Sequence, residues 1–210
     1  MSIKINIKEI KEKTPKACLI IVTKNQDINH IQQVYNLGER DFGENKVQIL
    51  IKKKKELPKD IRWHMIGHLQ TNKVKLIAPF IHMIQSVDRL SLLNKINQLA
   101  KQNNRTIDCL IQIKIAREES KYGFTLKEAE DLFKSKYKIK YPHINIKGIM
   151  GMATFSKNLK QIEKEFQSMQ KVLNLIKTPD PIFSIGMSND FQIAYKCGST
   201  MIRVGSLIFQ

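Results

Sequence analysis

Cysteine, arginine and aromatic residues are all scarce in this 210-residue chain, and each scarcity removes a class of explanation. Three cysteines, Cys18, Cys109 and Cys197, are widely spaced and odd in number, so they supply neither a disulfide framework nor a metal-binding pattern. A reduced, cytoplasmic protein is expected. No stretch approaches the ~18 uninterrupted apolar residues of a membrane-spanning helix. A secretory signal is not expected either, because residues 2–16 are charged and lack an apolar core.

Arginine is the more telling shortage. The net charge of +17 invites a nucleic-acid-binding barrel as a reading, but 30 of the 36 basic residues are lysine and only 6 are arginine. Base and phosphate readers lean on the planar arginine fork. The chain also carries 31 isoleucines and 14 asparagines, and Lys, Ile and Asn share A/T-rich codons. A biased genome accounts for the excess charge, and specific nucleic-acid binding becomes a distant alternative. The run Lys52 to Lys55 reads as a solvated helix end.

What is present is organised around Ala17 to Lys24, Ala-Cys-Leu-Ile-Ile-Val-Thr-Lys. Its aliphatic, partly β-branched run suits a strand buried on both faces, and it ends in a lysine. Burial of that amine would favour its neutral, nucleophilic form; a strand-end lysine snorkelling to solvent is the bland alternative. Around it the chain alternates. Ile3, Ile7 and Ile10 mark a short amphipathic helix, and Asp27 can cap a helix that Gly38 closes. Strands are predicted at 41–43, 61–66, 81–87, 106–115, 145–150, 182–185 and 201–204, with helices over about 46–55, 71–78, 91–102, 125–136, 158–176 and 189–196. Eight strand-like segments alternating with helices predict one α/β domain over residues 1–210, a single (β/α)8 TIM barrel. An open doubly wound sheet is less consistent, since no Gly-x-Gly-x-x-Gly follows any strand.

In such a barrel the site lies at the carboxyl ends of the strands, with phosphate often held after strands seven and eight. That rule selects Lys24, Asn45, His64, Met150, Ser188, Arg203, Gly205 and Ser206. Ser184-Ile-Gly-Met-Ser-Asn-Asp190 reads as a strand, a small-residue turn and a helix start that Ser188 can cap, leaving backbone N–H groups free for an anion. Arg203-Val-Gly-Ser206 supplies a second such turn. Two phosphate-like turns with a lysine across the mouth suit pyridoxal 5'-phosphate. His64 and His68 stand four apart on a strand and a turn, without an evident third ligand, so no metal is expected. Trp63 reads as packing, Tyr122 as a loop aromatic able to close the mouth, and no hydrolase elbow is present.

The blocks Val22-Thr-Lys24, Phe42-Gly-Glu-Asn45, Trp63-His-Met-Ile-Gly-His-Leu-Gln-Thr-Asn-Lys73, Ser86-Val-Asp88, Lys147-Gly-Ile-Met-Gly-Met-Ala153, Ser184-Ile-Gly-Met-Ser188 and Ser199-Thr-Met-Ile-Arg-Val-Gly205 run in order over nearly the whole chain. In these blocks the sequence resembles the YggS/PROSC-type pyridoxal phosphate homeostasis proteins, relatives of the alanine racemase amino-terminal domain. The resemblance implies that Lys24 forms the internal aldimine and that Met187, Ser188, Gly205 and Ser206 lie at the phosphate. It further implies that Asn45 lies beside the ring and Arg203 faces the pyridine nitrogen. A donor-only arginine there leaves the ring a poor electron sink. It implies a carrier that buffers and delivers cofactor to dependent apoenzymes, as a monomer with little or no turnover. A racemase-like enzyme is the alternative; it would need a second base, which the related racemases take from a further domain. The sequence departs from the family in a short stretch before Lys24, predicting a reduced leading helix, and in ending at Phe209-Gln210, which puts closure over the phosphate in question.

Overall fold

Parallel strands need crossover connections, and this chain supplies a helix-bearing one between every successive pair. The computed structural model describes residues 2–118 and 122–210. Its strands are β1 (Cys18–Val22), β2 (Asp41–Glu44), β3 (Arg62–Met65), β4 (Met83–Val87), β5 (Ile107–Ile113), β6 (Ile144–Gly151), β7 (Ile182–Ser184) and β8 (Met201–Val204). They pair in sequence order into a closed barrel. β8 returns to β1 in parallel, with Cys18 opposite Met201 and Ile20 opposite Arg203.

Strand alternation then divides the apolar residues between two cores. Ile20, Met83, Leu110, Met150 and Met201 meet in one cluster inside the barrel. Their neighbours, Leu19, Ile21, Phe42, Trp63 and Ile111 among them, face outward into the layer under the helices. Trp63 is 2 % exposed there, as its packing role requires.

The helices follow their predicted places with local changes. The leading helix α1 (Ile3–Lys13) is formed over eleven residues and capped by Ser2, so the expected reduction does not remove it. α2 (Ile28–Asn36) is capped by Asp27, whose Oδ1 accepts from the His30 N–H, and Gly38 follows at φ +97°. α3 spans Val47–Glu56. A 3-10 turn, Thr71–Lys73, leads into α4 (Val74–Ile77). α5 (Leu90–Gln102) starts without the side-chain cap expected from Asp88 or Ser91, because Asp88 is engaged elsewhere. Beyond α6 (Leu126–Lys134) lies an unpredicted turn of helix, α7 (Tyr137–Lys140). The long helix over 158–176 breaks at Met169 into α8 (Leu159–Ser168) and α9 (Gln170–Leu173), and α10 spans Phe191–Lys196.

One close approach fixes a glycine. A Cβ at Gly148 would stand 1.9 Å from the Ile182 carbonyl oxygen, where β6 meets β7. Gly148→Ala therefore wedges those two strands apart. Its expected cost, about 3 kcal/mol, is read as a lower urea midpoint at unchanged slope.

Candidate functional site

Thr23 and Lys24 follow β1 as it leaves the barrel. Thr23 is fully buried, whereas Lys24 is exposed, so the burial that would have activated its amine is not what distinguishes it. What distinguishes it is the fixed peptide from which it projects. Glu44, the last residue of β2, and Lys53 of α3 form an ion pair beneath that turn with side chains 0 % and 6 % exposed and Nζ–Oε1 at 2.6 Å. Lys53 Nζ also donates to the Thr23 carbonyl at 2.7 Å, and the Thr23 hydroxyl lies 2.6 Å from the same Glu44 oxygen. Lys53 is thus not part of a solvated helix end, although it belongs to a run of four lysines. The helical period turns it inward while Lys52, Lys54 and Lys55 stay on the outer faces.

Arg203, on β8, lies inside the barrel at 3 % exposure. Its Nη1 donates to the carbonyl and hydroxyl oxygens of Ser184, at 2.8 and 2.6 Å, and its Nη2 to the Gly151 carbonyl at 2.9 Å. Burial pulls this guanidinium down to about 10, against the pull of the Asp190 carboxylate, so it remains a cation at neutral pH. Because an arginine only donates, the direction of the bonds beyond it is determined. Ser184 Oγ accepts from Arg203 and donates to Gln85 Oε1 at 2.7 Å. Gln85 Nε2 then faces His64 Nδ1 at 3.1 Å, which leaves the imidazole proton on Nε2, 3.2 Å from Asp41 Oδ1. Asp41 finally accepts from Arg62 through both oxygens. This oriented chain joins the carboxyl end of the barrel to its amino end through polar residues that strand alternation points inward. Ser184, Gln85 and His64 escape sequence reasoning as a set, because only barrel closure brings β3, β4, β7 and β8 together.

The two small-residue turns meet. The Ser188 hydroxyl does not cap a helix, since α10 begins only after Asp190; it accepts from the Gly205 N–H at 3.4 Å. Asp190 instead folds its carboxylate back onto the Met187 N–H at 2.6 Å, with burial raising that carboxyl's pKa. Gly205 is required by closeness: a Cβ there would stand 2.8 Å from the Val22 carbonyl oxygen. Met187 and Ser188 are partly buried and Ser206 is exposed. Lys24 rises beyond β1, the direct neighbour of β8, and stands beside this group rather than across the mouth from it. Asn45 follows β2, its backbone clamped by Gly67, where a Cβ would come within 2.3 Å of the Asn45 carbonyl oxygen. Met150 belongs to the interior cluster, not the rim.

On the rim, Tyr122 stacks on His68 with ring centroids 3.8 Å apart, and His68 Nδ1 lies 2.6 Å from Asp88 Oδ2. Asp88 also pairs with Arg89. His68 is thereby occupied by partners other than His64. The donor set of the mouth suits an anionic heterocyclic aldehyde: a primary amine, two turns with hydroxyls and a close-approach glycine, and a buried cation hydrogen-bonded to neutral oxygens of Ser184 and Gly151. Pyridoxal 5'-phosphate fits it.

The family model for the alanine racemase N-terminal domain matches residues 1–210. The pyridoxal phosphate homeostasis protein of Haemophilus influenzae is 32% identical over 228 aligned residues, covering 100% of this chain and 95% of that protein. The protein of the same name from Helicobacter pylori is 36% identical, covering 91% and 86%. Among solved structures, PipY of Synechococcus elongatus with PLP bound is similar over 100% of both chains, with a TM-score of 0.87 at 26% identity. The alanine racemase of Bartonella henselae shares the fold, at a TM-score of 0.77 and 17% identity, over 99% of this chain and 58% of that one.

Proposed function

The chain belongs to the alanine racemase N-terminal-domain family, and from that premise we propose that it is a pyridoxal phosphate homeostasis protein, holding pyridoxal 5'-phosphate through the ε-amine of Lys24. Residues 1–210 act as one domain. Ser188, Gly205, Ser206 and the Met187 turn receive the phosphate, Asn45 flanks the ring, and Arg203 donates to the ring nitrogen. The observation that carries this reading is Arg203. It is a buried cation hydrogen-bonded to neutral oxygens, inside the barrel on β8, the direct neighbour of the strand that leads to the lysine-bearing turn. When bound, the cofactor supplies a carbonyl that a primary amine captures reversibly. An arginine that cannot accept a proton keeps the ring nitrogen unprotonated, which supports storage over turnover.

The protein buffers free cofactor in the cytoplasm as a monomer and passes it to dependent apoenzymes. The names of its relatives support this over a racemase-like activity. No helix among the described residues is long and apolar enough to cross a membrane. The test is a titration of the full chain with pyridoxal phosphate, followed by borohydride and peptide mapping. One equivalent should give a visible band and a fixed mass increment on the Lys24 peptide. A colourless protein, or an increment elsewhere, overturns the reading; robust α-proton exchange on D- or L-amino acids overturns the carrier role.

A further inference from the structure

The end of the barrel opposite the Lys24 turn gathers a different chemistry. Cys18, Asp41 and Arg62 are the first residues of β1, β2 and β3, His64 is the third residue of β3, and His82 immediately precedes β4. One ligand atom from each of Asp41, His64 and His82 lies within 4.8 Å of the others. The two imidazole centroids are 5.2 Å apart, and Cys18 Sγ stands 4.0 Å from Asp41 Oδ2. We propose that this cluster is a transition-metal site of the zinc class, ligated by Asp41, His64 Nε2 and His82, with the Cys18 thiolate as fourth ligand.

Two imidazoles, a carboxylate and a thiolate are the ligand types that zinc and cobalt take in tetrahedral geometry. At metal–ligand distances of about 2.0–2.3 Å such atoms stand roughly 3.5 Å apart, so the Asp41, His64 and His82 atoms close by about 1 Å of side-chain rotation, while Cys18, outside that triad, turns in from its contact with Asp41. Burial, then His64, pulls the His82 imidazole below its usual pKa. Burial opposes ionisation of Asp41, yet hydrogen bonds from Arg62 and His64 outweigh it and hold the carboxyl well below the usual range. Cys18 is exposed, yet desolvation by the protein around its sulfur, then Asp41, lifts the thiol to about 11, so coordination releases its proton to solvent. Arg62 donates to both Asp41 oxygens, and the lone pairs that now face His64 Nε2 and Cys18 Sγ open to a metal once those two groups have given up their protons. Charge balances as well. Asp41, ionised Cys18 and Asp108, which acts electrostatically on His82, offset Arg62 and a divalent ion.

Metal on Nε2 requires the imidazole proton on Nδ1. The Gln85 amide must then turn over, so that Oε1 accepts from His64 and Nε2 faces Ser184. Occupancy is thereby registered along the polar chain that ends at Arg203.

The test titrates Co2+ into chelator-treated full-length protein, with Zn2+ as competitor. The expected result is one saturating equivalent with an intense, tetrahedral visible spectrum and a sulfur-to-cobalt charge-transfer band. Zn2+ should displace it. His82→Ala should weaken binding by about 100-fold or more with the circular dichroism spectrum unchanged, and His30→Ala, at an unrelated surface histidine, should leave it intact. Absence of a saturable equivalent, or wild-type affinity in His82→Ala, overturns the site. A spectrum without the sulfur band, or one that Cys18→Ser does not alter, overturns Cys18 as the fourth ligand.

Discussion

Lys24→Ala abolishes both the visible band and the borohydride-fixed mass increment, while the free energy of unfolding moves by no more than about 0.5 kcal/mol. The second half of that outcome follows from the environment of the residue. Lys24 is exposed, and among the described residues no hydrogen bond or ion pair of its side chain holds the turn together. The turn is held by Thr23, Glu44 and Lys53, all of which the substitution leaves in place. The first half follows from chemistry. The variant retains Arg203 and the Ser188–Gly205 contact, so the groups proposed for phosphate and ring nitrogen stay in place, but the Lys24 amine is gone from that turn. Residual binding should therefore be reversible by dialysis and invisible to borohydride. Comparing urea midpoints of wild type and variant with their absorption spectra separates loss of attachment from loss of fold. A variant that still fixes cofactor at another lysine would deny Lys24 its role.

Much of this architecture was legible in order of residues, because each feature is local. β1, Cys-Leu-Ile-Ile-Val, is a continuous apolar run bounded by polar residues, and β8 was placed at 201–204 without error. Where strands and helices drifted, the cause was also local: the helix over 158–176 breaks at Met169, with no glycine or proline to mark it. The candidate site was legible in part. Rim residues could be named from strand ends alone, as Lys24, Asn45, Ser188 and Arg203 were. Their relative placement could not, since only closure puts β1 beside β8 and moves Lys24 from across the mouth to next to the phosphate turns. The chain Arg203–Ser184–Gln85–His64–Asp41 was illegible for the same reason, its members being 19 to 162 residues apart in neighbouring links or overall span. His64 and His82 illustrate the limit most directly. Sequence spacing set His64 only against His68, a pair that offered no metal site, whereas parallel pairing of β3 with β4 brings His82 beside His64.

Lys53→Met should be the most destabilising single substitution at this end of the barrel, by about 3–5 kcal/mol. Lysine runs on helices are ordinarily solvated, so a sequence comparison alone would rank this change as harmless. The structure reverses that ranking. Methionine removes the charge paired with Glu44 at 2.6 Å, whose carboxylate is fully buried and whose Oε2 already lacks a partner among the described residues. An uncompensated carboxylate in that layer costs more than the lost hydrogen bonds themselves. The double variant Lys53→Met/Glu44→Leu should then recover most of the loss, because it removes the stranded charge and leaves an apolar pair of similar volume. Recovery would assign the cost to the buried charge; a double variant as unstable as the single one would assign it to packing. The two variants also differ from Lys24→Ala in what they do to the site. Each frees the Thr23 carbonyl from Lys53, so the peptide that aims Lys24 is no longer pinned. In the rescued double variant, stability returns while capture of the cofactor stays slower than wild type, as followed by growth of the visible band after mixing. Equal rates in the rescued variant and wild type would show that the Glu44–Lys53 pair supports the barrel alone and has no part in aiming the lysine.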